Sequence, residues 1–373
     1  MNPKIGITGQ NGFIGWHLSN SVKYIHSNSF DIIPFEKSYF RDKIKLASFL
    51  KKCNVIVHLA GANRRESEQE VYEENKNLNF VLEEAIKLVK FKGHLIFASS
   101  SQEKGKSLYG KSKKESRLSL EKCIKSQGGI FTGLIIPNVF GPFSKPNYNS
   151  FIATFCSKII KNEKPTIFDD DEIPLIYVDN LVNRIMNFIE SKGVGKKEIL
   201  PDKILSVSNI LKLLESFKIF YLGNNKIPCL NSDFELQLFN TLRSYIDIEK
   251  RYPVFLNKNS DNRGFFSEII RCESGGQFSY STTLTGITRG NHFHTRKVER
   301  FTIIQGDAQI QLRKINSNKV FNLKLNGETP SYVDIPIWFT HNITNIGEEP
   351  LITLFWINEP YNEKDADTYF EKV

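Results

Sequence analysis

The stretch Gly286–Gly306, GITRGNHFHTRKVERFTIIQG, holds the decisive pattern: His292, His294 two residues on, and Glu299 five beyond that. Side chains alternate along a strand with period two, so His-x-His projects both imidazoles to one face. Glu299 opens the next stretch, and His341 stands further on in Pro336-Ile-Trp-Phe-Thr-His341. Three imidazoles and a carboxylate suit Zn²⁺ or another divalent ion. Two surface histidines beside an unrelated Glu would account for the pair alone. The full spacing from Gly286 to Gly306, with His341 on a later strand, favours metal.

These two segments resemble the two motifs of the cupins, small antiparallel double-sheet barrels related to jelly rolls. The first motif matches at Gly286, His292, His294, Glu299 and Gly306, and the second departs once, with Trp338 where cupins usually carry Gly. The resemblance implies His292, His294, Glu299 and His341 as ligands and confines the departure to a local turn. Short strands with turn residues surround the motif, including Gln277 to Thr283, a hairpin at Ile303-Ile-Gln-Gly-Asp307, and Leu351 to Ile357. Asp261-x-Arg263-Gly264-x-Phe266-x-Glu268 resembles the entry strand of sugar-nucleotide epimerase cupins. Arg263 and Glu268 also read as a strand-edge ion pair.

A chain of 373 residues exceeds one ordinary core, so two domains are expected. Hydrophobic content of 40% and charged content of 24% are those of a soluble globular protein. No apolar run approaches the roughly 18 residues of a membrane span, and the N-terminus lacks a signal-peptide pattern. Cys53, Cys123, Cys156, Cys229 and Cys272 are scattered without Cys-x-x-Cys spacing, which predicts reduced thiols and a cytoplasmic location. The net charge of +9 is spread among acids, as in KSKKESRLSLEK, with no aromatic-interleaved basic cluster. Nucleic acid is therefore not an expected partner, whereas an anionic nucleotide sugar is compatible with the field.

Upstream, the strand Lys4–Thr8 runs directly into Gly9-Gln-Asn-Gly12-Phe13-Ile14-Gly15 and then a helix. Glycines at spacing three allow a tight turn and close approach of a pyrophosphate to a helix N-terminus. A second strand ends at Glu36 and Lys37. An acid there would accept from NAD ribose hydroxyls and a cation would pair with the NADP phosphate, so the pair leaves both cofactors open. Val55 to Gly61 is a strand buried on both faces, ending in Leu59, Ala60 and Gly61, with His58 as a core histidine. His94 to Ala98 leads into Ser99-Ser100-Ser101, and Tyr109 and Lys113 follow four apart on one helix face. An ammonium beside the phenol is expected to lower its pKa, and a serine hydroxyl to polarise the same carbonyl. Lys145-Pro-Asn147-Tyr-Asn149-Ser150 follows as a candidate uracil or diphosphate contact, or simply a loop stiffened by Pro146.

Residues 3 to 245 resemble the extended short-chain dehydrogenase/reductases, in their nucleotide-sugar branch. The residues that carry it are Thr8 to Gly15, His58 to Gly61, the Ser triplet, Tyr109 with Lys113, Pro137-Asn138-Val-Phe-Gly-Pro142 and Tyr177-Val-Asp179. The resemblance implies Ser101 as the catalytic serine, with Ser100 as its rival, beside Tyr109 and Lys113. It implies a cofactor site at Gly9, Gly12, Phe13, Ile14, Gly15, Lys37, Leu59, Ala60, Gly61, Tyr109 and Lys113, and substrate contacts at Asn138, Lys145, Asn147 and Asn149. Two departures stand out: the segment from Ser101 to Tyr109 is short, and Ile135 replaces the Arg of many members.

The expected fold is α/β, a Rossmann-type doubly wound parallel sheet over residues 1–248, followed by an all-β cupin barrel, jelly-roll-like, over 249–373. This order of domains resembles the bifunctional enzymes of UDP-N-acetyl-L-fucosamine synthesis for capsular polysaccharide. That likeness implies C-3 epimerisation of UDP-2-acetamido-2,6-dideoxy-4-hexulose in the barrel and C-4 reduction in the first domain. NADPH would be the hydride donor, with NADH open, and the chain would pair as a homodimer through its barrels. Whether the cation acts in catalysis or in structure stays open. A single-activity reductase or dehydratase with a dimerising barrel, and a non-catalytic sugar-nucleotide sensor, are the other classes.

Overall fold

Apolar residues on the first strands alternate between two cores, as a sheet covered on both faces requires. In the computed structural model, which describes residues 2–262, 264–273 and 275–373, Ile5, Val55, Val57 and Ile96 pack into one core with Leu18, Leu181 and Ile185. Ile56, Leu95, Phe97 and Phe131 point the other way, toward Phe49, Leu82, Ile86 and Leu120. The parallel sheet runs, edge to edge, Asp31–Ile33, Lys4–Thr8, Val55–His58, His94–Ser100, Ile130–Ile136 and Gly195–Glu198. Its order reverses beside Lys4–Thr8, which opens a crevice at the carboxyl ends where Gly9 follows. This is the doubly wound sheet expected from the sequence.

The chain divides into two compact units, residues through 154 with 166–210, and 155–165 with 211–373. The second holds two antiparallel five-stranded sheets. One runs Val254–Phe255, Ser331–Ile335, Glu299–Gln305, Leu351–Ile357, Gln277–Thr283. The other runs Val320–Asn326, Asp307–Lys314, Phe339–Asn345, Thr288–Phe293, Tyr369–Phe370. This is the jelly-roll-like cupin barrel. Trp338 takes the place of the usual Gly in the left-handed region itself, at φ 60°. Its ring is buried and stacks on Phe293 at 5.4 Å, so the site tolerates a side chain by burying it.

The boundary expected at 248/249 falls inside the second unit, because the helical segment before it packs on the barrel. From helix Asp233–Arg243, Arg243 donates to the Ile335 carbonyl at 2.8 Å and Asn240 to that of Arg296 at 2.8 Å. A change from helical to strand grammar marks where strands begin, not where the core begins. Between helices and sheet, Arg300 grips Asp334 at 2.7 and 2.9 Å, and Tyr221 donates to the same carboxylate at 2.7 Å. Burial would raise the Asp334 carboxyl, yet the Arg300 charge and hydrogen bonds hold it below its ordinary value. Its stabilisation is therefore complete above the unfolded value near 3.8 and fades as pH falls below it. Asp334→Ala should lower stability by about 3–5 kcal/mol, since Arg300 would be left buried and unpaired. Denaturant unfolding checks this, and an unchanged midpoint would contradict it.

Arg263 lies outside the described residues; Glu268 pairs with Arg271, whose Nε donates at 2.6 Å. All five cysteines are free, and no helix among the described residues is long and apolar enough to cross a membrane.

Candidate active site and metal centre

The loop after Lys4–Thr8 closes so tightly that a Cβ on Gly15 would sit 2.1 Å from the Gly9 carbonyl oxygen. Gly9 itself lies at φ +76°. Helix Phe13–Asn20 then starts at Gly12 with no side-chain cap, leaving its first amides for an anion. A cleft of about 490 Å³ opens above this loop. Of the expected cofactor residues, Gly9, Gly12, Phe13, Ile14, Gly15, Leu59, Gly61, Tyr109 and Lys113 line it. Ala60 instead backs the turn, its amide nitrogen 2.8 Å from the position of a Gly9 Cβ. Lys37 does not line the cleft. It opens an exposed 3₁₀ turn, Lys37–Arg41, outside the wall.

Tyr109 and Lys113 lie on helix Leu108–Ser126, whose N-cap Ser107 accepts from the Gly110 amide at 3.1 Å. Gly110 is needed between them: a Cβ there would meet the Gln102 carbonyl oxygen at 2.0 Å, so the helix sits directly on the 3₁₀ turn Ser101–Lys104. The expected lowering of the Tyr109 pKa is not what the structure gives. Burial pushes the phenol up to about 12, against the pull of a hydrogen bond with Ser100. Lys113 is pushed down to about 8 by burial, opposed by Glu103, and its Nζ stands 4.6 Å from the centre of the Phe97 ring.

Ser100, the rival, interacts with the Tyr109 phenol and pulls its pKa down, and Ser101 lines the same cleft. The strand His94–Ser100 stops at Ser100, whose hydroxyl caps the next turn by accepting from the Gln102 amide at 3.2 Å, and Ser101 begins that 3₁₀ turn. The turn is anchored below by a buried Arg117–Glu103 pair at 2.9 Å and by Ser99, which donates to Glu103. Asn138, Lys145 and Asn149 line the cleft, whereas Asn147 does not. Its amide donates to Thr154 Oγ1 at 2.9 Å and its carbonyl accepts from Arg64 at 2.6 Å.

Sequence reasoning missed Asn75, which exchanges hydrogen bonds of 2.8 and 3.0 Å with the Ala62 backbone and so fixes the loop carrying Leu59 to Gly61. Its signal was a polar residue in the buried stripe Val71, Asn75, Asn79, Leu82 of helix Glu68–Val89. His58 is the core histidine expected, 2.6 Å from Thr8 Oγ1.

In the barrel, His292 pairs in register with His341 across Thr288–Phe293 and Phe339–Asn345, and Glu299 begins the facing strand. One donor atom from each of His292, His294, Glu299 and His341 lies within 4.8 Å of all the others. Glu299 Oε2 is 3.1 Å from His294 Nε2 and 3.4 Å from His341 Nε2. An ion about 2.1 Å from each donor would set neighbouring donors about 3.4 Å apart, so the spacing fits. The donor chemistry fits too. His341 Nε2 is buried without a hydrogen-bond partner, and burial pushes that imidazole down to about 3, leaving it neutral. Burial would raise Glu299, but the hydrogen bond from His294 and the neighbouring histidines hold it at about 2. His294 Nδ1 donates to the Asp367 carbonyl at 2.5 Å, so the proton that its Nε2 shares with Glu299 is the one an ion would displace, leaving that nitrogen as the donor facing the cluster.

The NAD dependent epimerase/dehydratase family model matches residues 5–200. The chain belongs to that family. In this family member, residues 259–369 match the Polysaccharide biosynthesis C-terminal domain. The chain is 31% identical over 98% of both lengths to the UDP-2-acetamido-2,6-beta-L-arabino-hexul-4-ose reductase of Pseudomonas aeruginosa. It resembles the crystal structure of the capsular polysaccharide assembling protein CapF from Staphylococcus aureus, with a TM-score of 0.60 and 32% identity over 99% of this chain and 100% of that one. The spore coat polysaccharide biosynthesis protein SpsL of Bacillus subtilis is 29% identical over 30% of this chain and 81% of its own.

Proposed function

We propose that the chain is a two-site nucleotide-sugar enzyme. The barrel epimerises C-3 of UDP-2-acetamido-2,6-dideoxy-4-hexulose, and the cleft then reduces C-4 to give UDP-2-acetamido-2,6-dideoxy-L-talose. The observation that carries it is the half-buried Tyr109 phenol, one helical turn from the buried Lys113 ammonium and lining a glycine-cradled cleft with Ser100 and Ser101. The naming of the P. aeruginosa relative as a hexul-4-ose reductase supports the same chemistry.

The Gly9–Gly15 loop would hold NADPH, which when bound would supply the hydride for C-4. Tyr109 remains protonated at neutral pH, so it is set to donate its proton to the C-4 oxygen, with Ser100 orienting that oxygen. Lys113 holds positive charge near the phenolate left behind. Because burial places Lys113 at about 8, kcat/KM for reduction should be flat below that pH and fall above it as the ammonium loses its proton. Lys113→Met should flatten the profile at the low level, and an inflection that survives the change would reassign it.

A divalent cation held by His292, His294, Glu299 and His341 would tie three strands together and supply positive charge beside an enolate oxygen. The proton on C-3 is acidic because its loss gives an enolate conjugated with the C-4 carbonyl. A homodimer would form through the barrel's edge strand Gln277–Thr283, where Phe278 and Tyr280 are exposed. Tyr280→Glu should then yield monomers in light scattering, and an unchanged mass would move the interface elsewhere. The experiment that tests the function is incubation of the pure chain with the UDP-4-keto sugar and NADPH. Oxidation of NADPH with formation of a 4-hydroxy sugar is expected; no oxidation would refute it.

A further inference from the structure

The loop between strands Thr288–Phe293 and Glu299–Gln305 carries the ligand His294, and its residues 294–297 all donate to the segment 365–367. His294 Nδ1 donates to the Asp367 carbonyl at 2.5 Å. The Thr295, Arg296 and Lys297 amides converge on the Asp367 carboxylate at 3.1, 3.0 and 3.4 Å. The Thr295 hydroxyl joins them at 2.7 Å. The Arg296 guanidinium pairs with the Asp365 carboxylate at 2.9 and 3.0 Å, and the Lys297 ammonium donates to the Ala366 carbonyl at 2.6 Å.

Asp367 is 4% exposed and lies at φ 42°, in the left-handed region that few residues besides glycine adopt. A carboxylate is costly to bury unless hydrogen bonds surround it. Three successive amides turned toward one anion form a nest, which offsets that cost. One residue thus acts at both of its ends. The carboxylate grips the loop, and the carbonyl meets the ring of a ligand on the same loop. Two residues further on, the strand Tyr369–Phe370 joins the barrel, and Phe370 pairs in register with His292. The segment therefore braces the strand of one ligand and the loop of another.

Asp367 is not one of the four clustered donors, because its oxygens are spent on the loop amides. We infer that Asp367 is a positioning residue for the cation, setting the loop 294–297 so that His294 Nε2 faces the other donors. This rests on His292, His294, Glu299 and His341 being a metal site. Coupling is reciprocal: where loop order favours the ion, ion binding favours loop order by the same factor.

The test uses the full chain and Zn²⁺ alone, with affinity read by competition against a chromophoric chelator. Asp367→Ala should weaken Zn²⁺ binding about 10- to 100-fold, the usual cost of removing a ligand's supporting partner. Asp367→Asn keeps one acceptor oxygen and should fall between wild type and Asp367→Ala. In wild type, Zn²⁺ should slow hydrogen exchange at the Thr295, Arg296 and Lys297 amides, and Asp367→Ala should lose that protection. Wild-type affinity in Asp367→Ala overturns the assignment, even with a lower unfolding temperature, since a merely structural contact changes stability and leaves affinity alone. Should Asp367→Ala fail to fold, Asp367→Asn decides, and wild-type affinity there overturns it equally. Wild type without measurable Zn²⁺ binding would refute the metal site itself, an outcome distinct from tight binding that ignores Asp367.

Discussion

Tyr109→Phe is expected to slow NADPH-dependent reduction of the keto-sugar by about 100- to 10,000-fold, the usual worth of a positioned proton donor. The phenyl ring fills the same space, so the helix Leu108–Ser126 and its contact through Gly110 should be undisturbed. NADPH affinity should therefore hold, and so should C-3 exchange, which the cleft does not perform. Stopped-flow NADPH oxidation beside a binding titration separates the two. The burial that pushes this phenol up to about 12 is also why its loss matters: water in the cleft would have to replace an acid that is protonated at every working pH. Near-normal turnover in the variant would remove Tyr109 from the chemistry.

His341→Ala carries the second large effect. Its Nε2 is buried, without a hydrogen-bond partner and 3.4 Å from Glu299, and burial keeps the imidazole neutral. Without it three donors remain, and affinity for Zn²⁺ should fall by more than about 100-fold, beyond what losing a ligand's supporting partner costs. The two readouts are metal content after dialysis and thermal unfolding with and without a chelator. Wild type should be destabilised by the chelator, because metal binding to the folded form adds to folding free energy. His341→Ala should carry little metal and ignore the chelator. Full occupancy in the variant would exclude His341 as a ligand.

Much of this was legible because spacing alone encodes it. His292 and His294 stand two apart, so strand period puts them on one face; Glu299 begins the strand opposite, and His341 meets His292 in register across the sheet. The Gly9–Gly15 loop was equally readable, since no other residue fits where a Cβ would strike a carbonyl oxygen. Other features depend on burial or on chain ends, which a sequence does not display. How Ser100 and Ser101 divide between a strand end and a turn depends on where the strand stops. Lys113 next to Tyr109 in sequence terms suggested a lowered phenol pKa, but desolvation prevails. Asn147 had the right chemistry for a substrate contact, yet its left-handed backbone spends its amide and carbonyl on the loop. The helices before residue 249 had no signal tying them to the barrel, because Tyr221, Arg243 and Asp334 are brought together only by tertiary packing.

The most direct test is to run the complete reaction in D₂O, with NADPH and UDP-2-acetamido-2,6-dideoxy-4-hexulose, and to examine C-3 of the reduced sugar by NMR and mass spectrometry. Two successive acts on one keto-sugar predict a product inverted at C-3 and carrying one solvent deuterium there, with hydride from NADPH at C-4. A reduced product that keeps its original hydrogen and configuration at C-3 would contradict them.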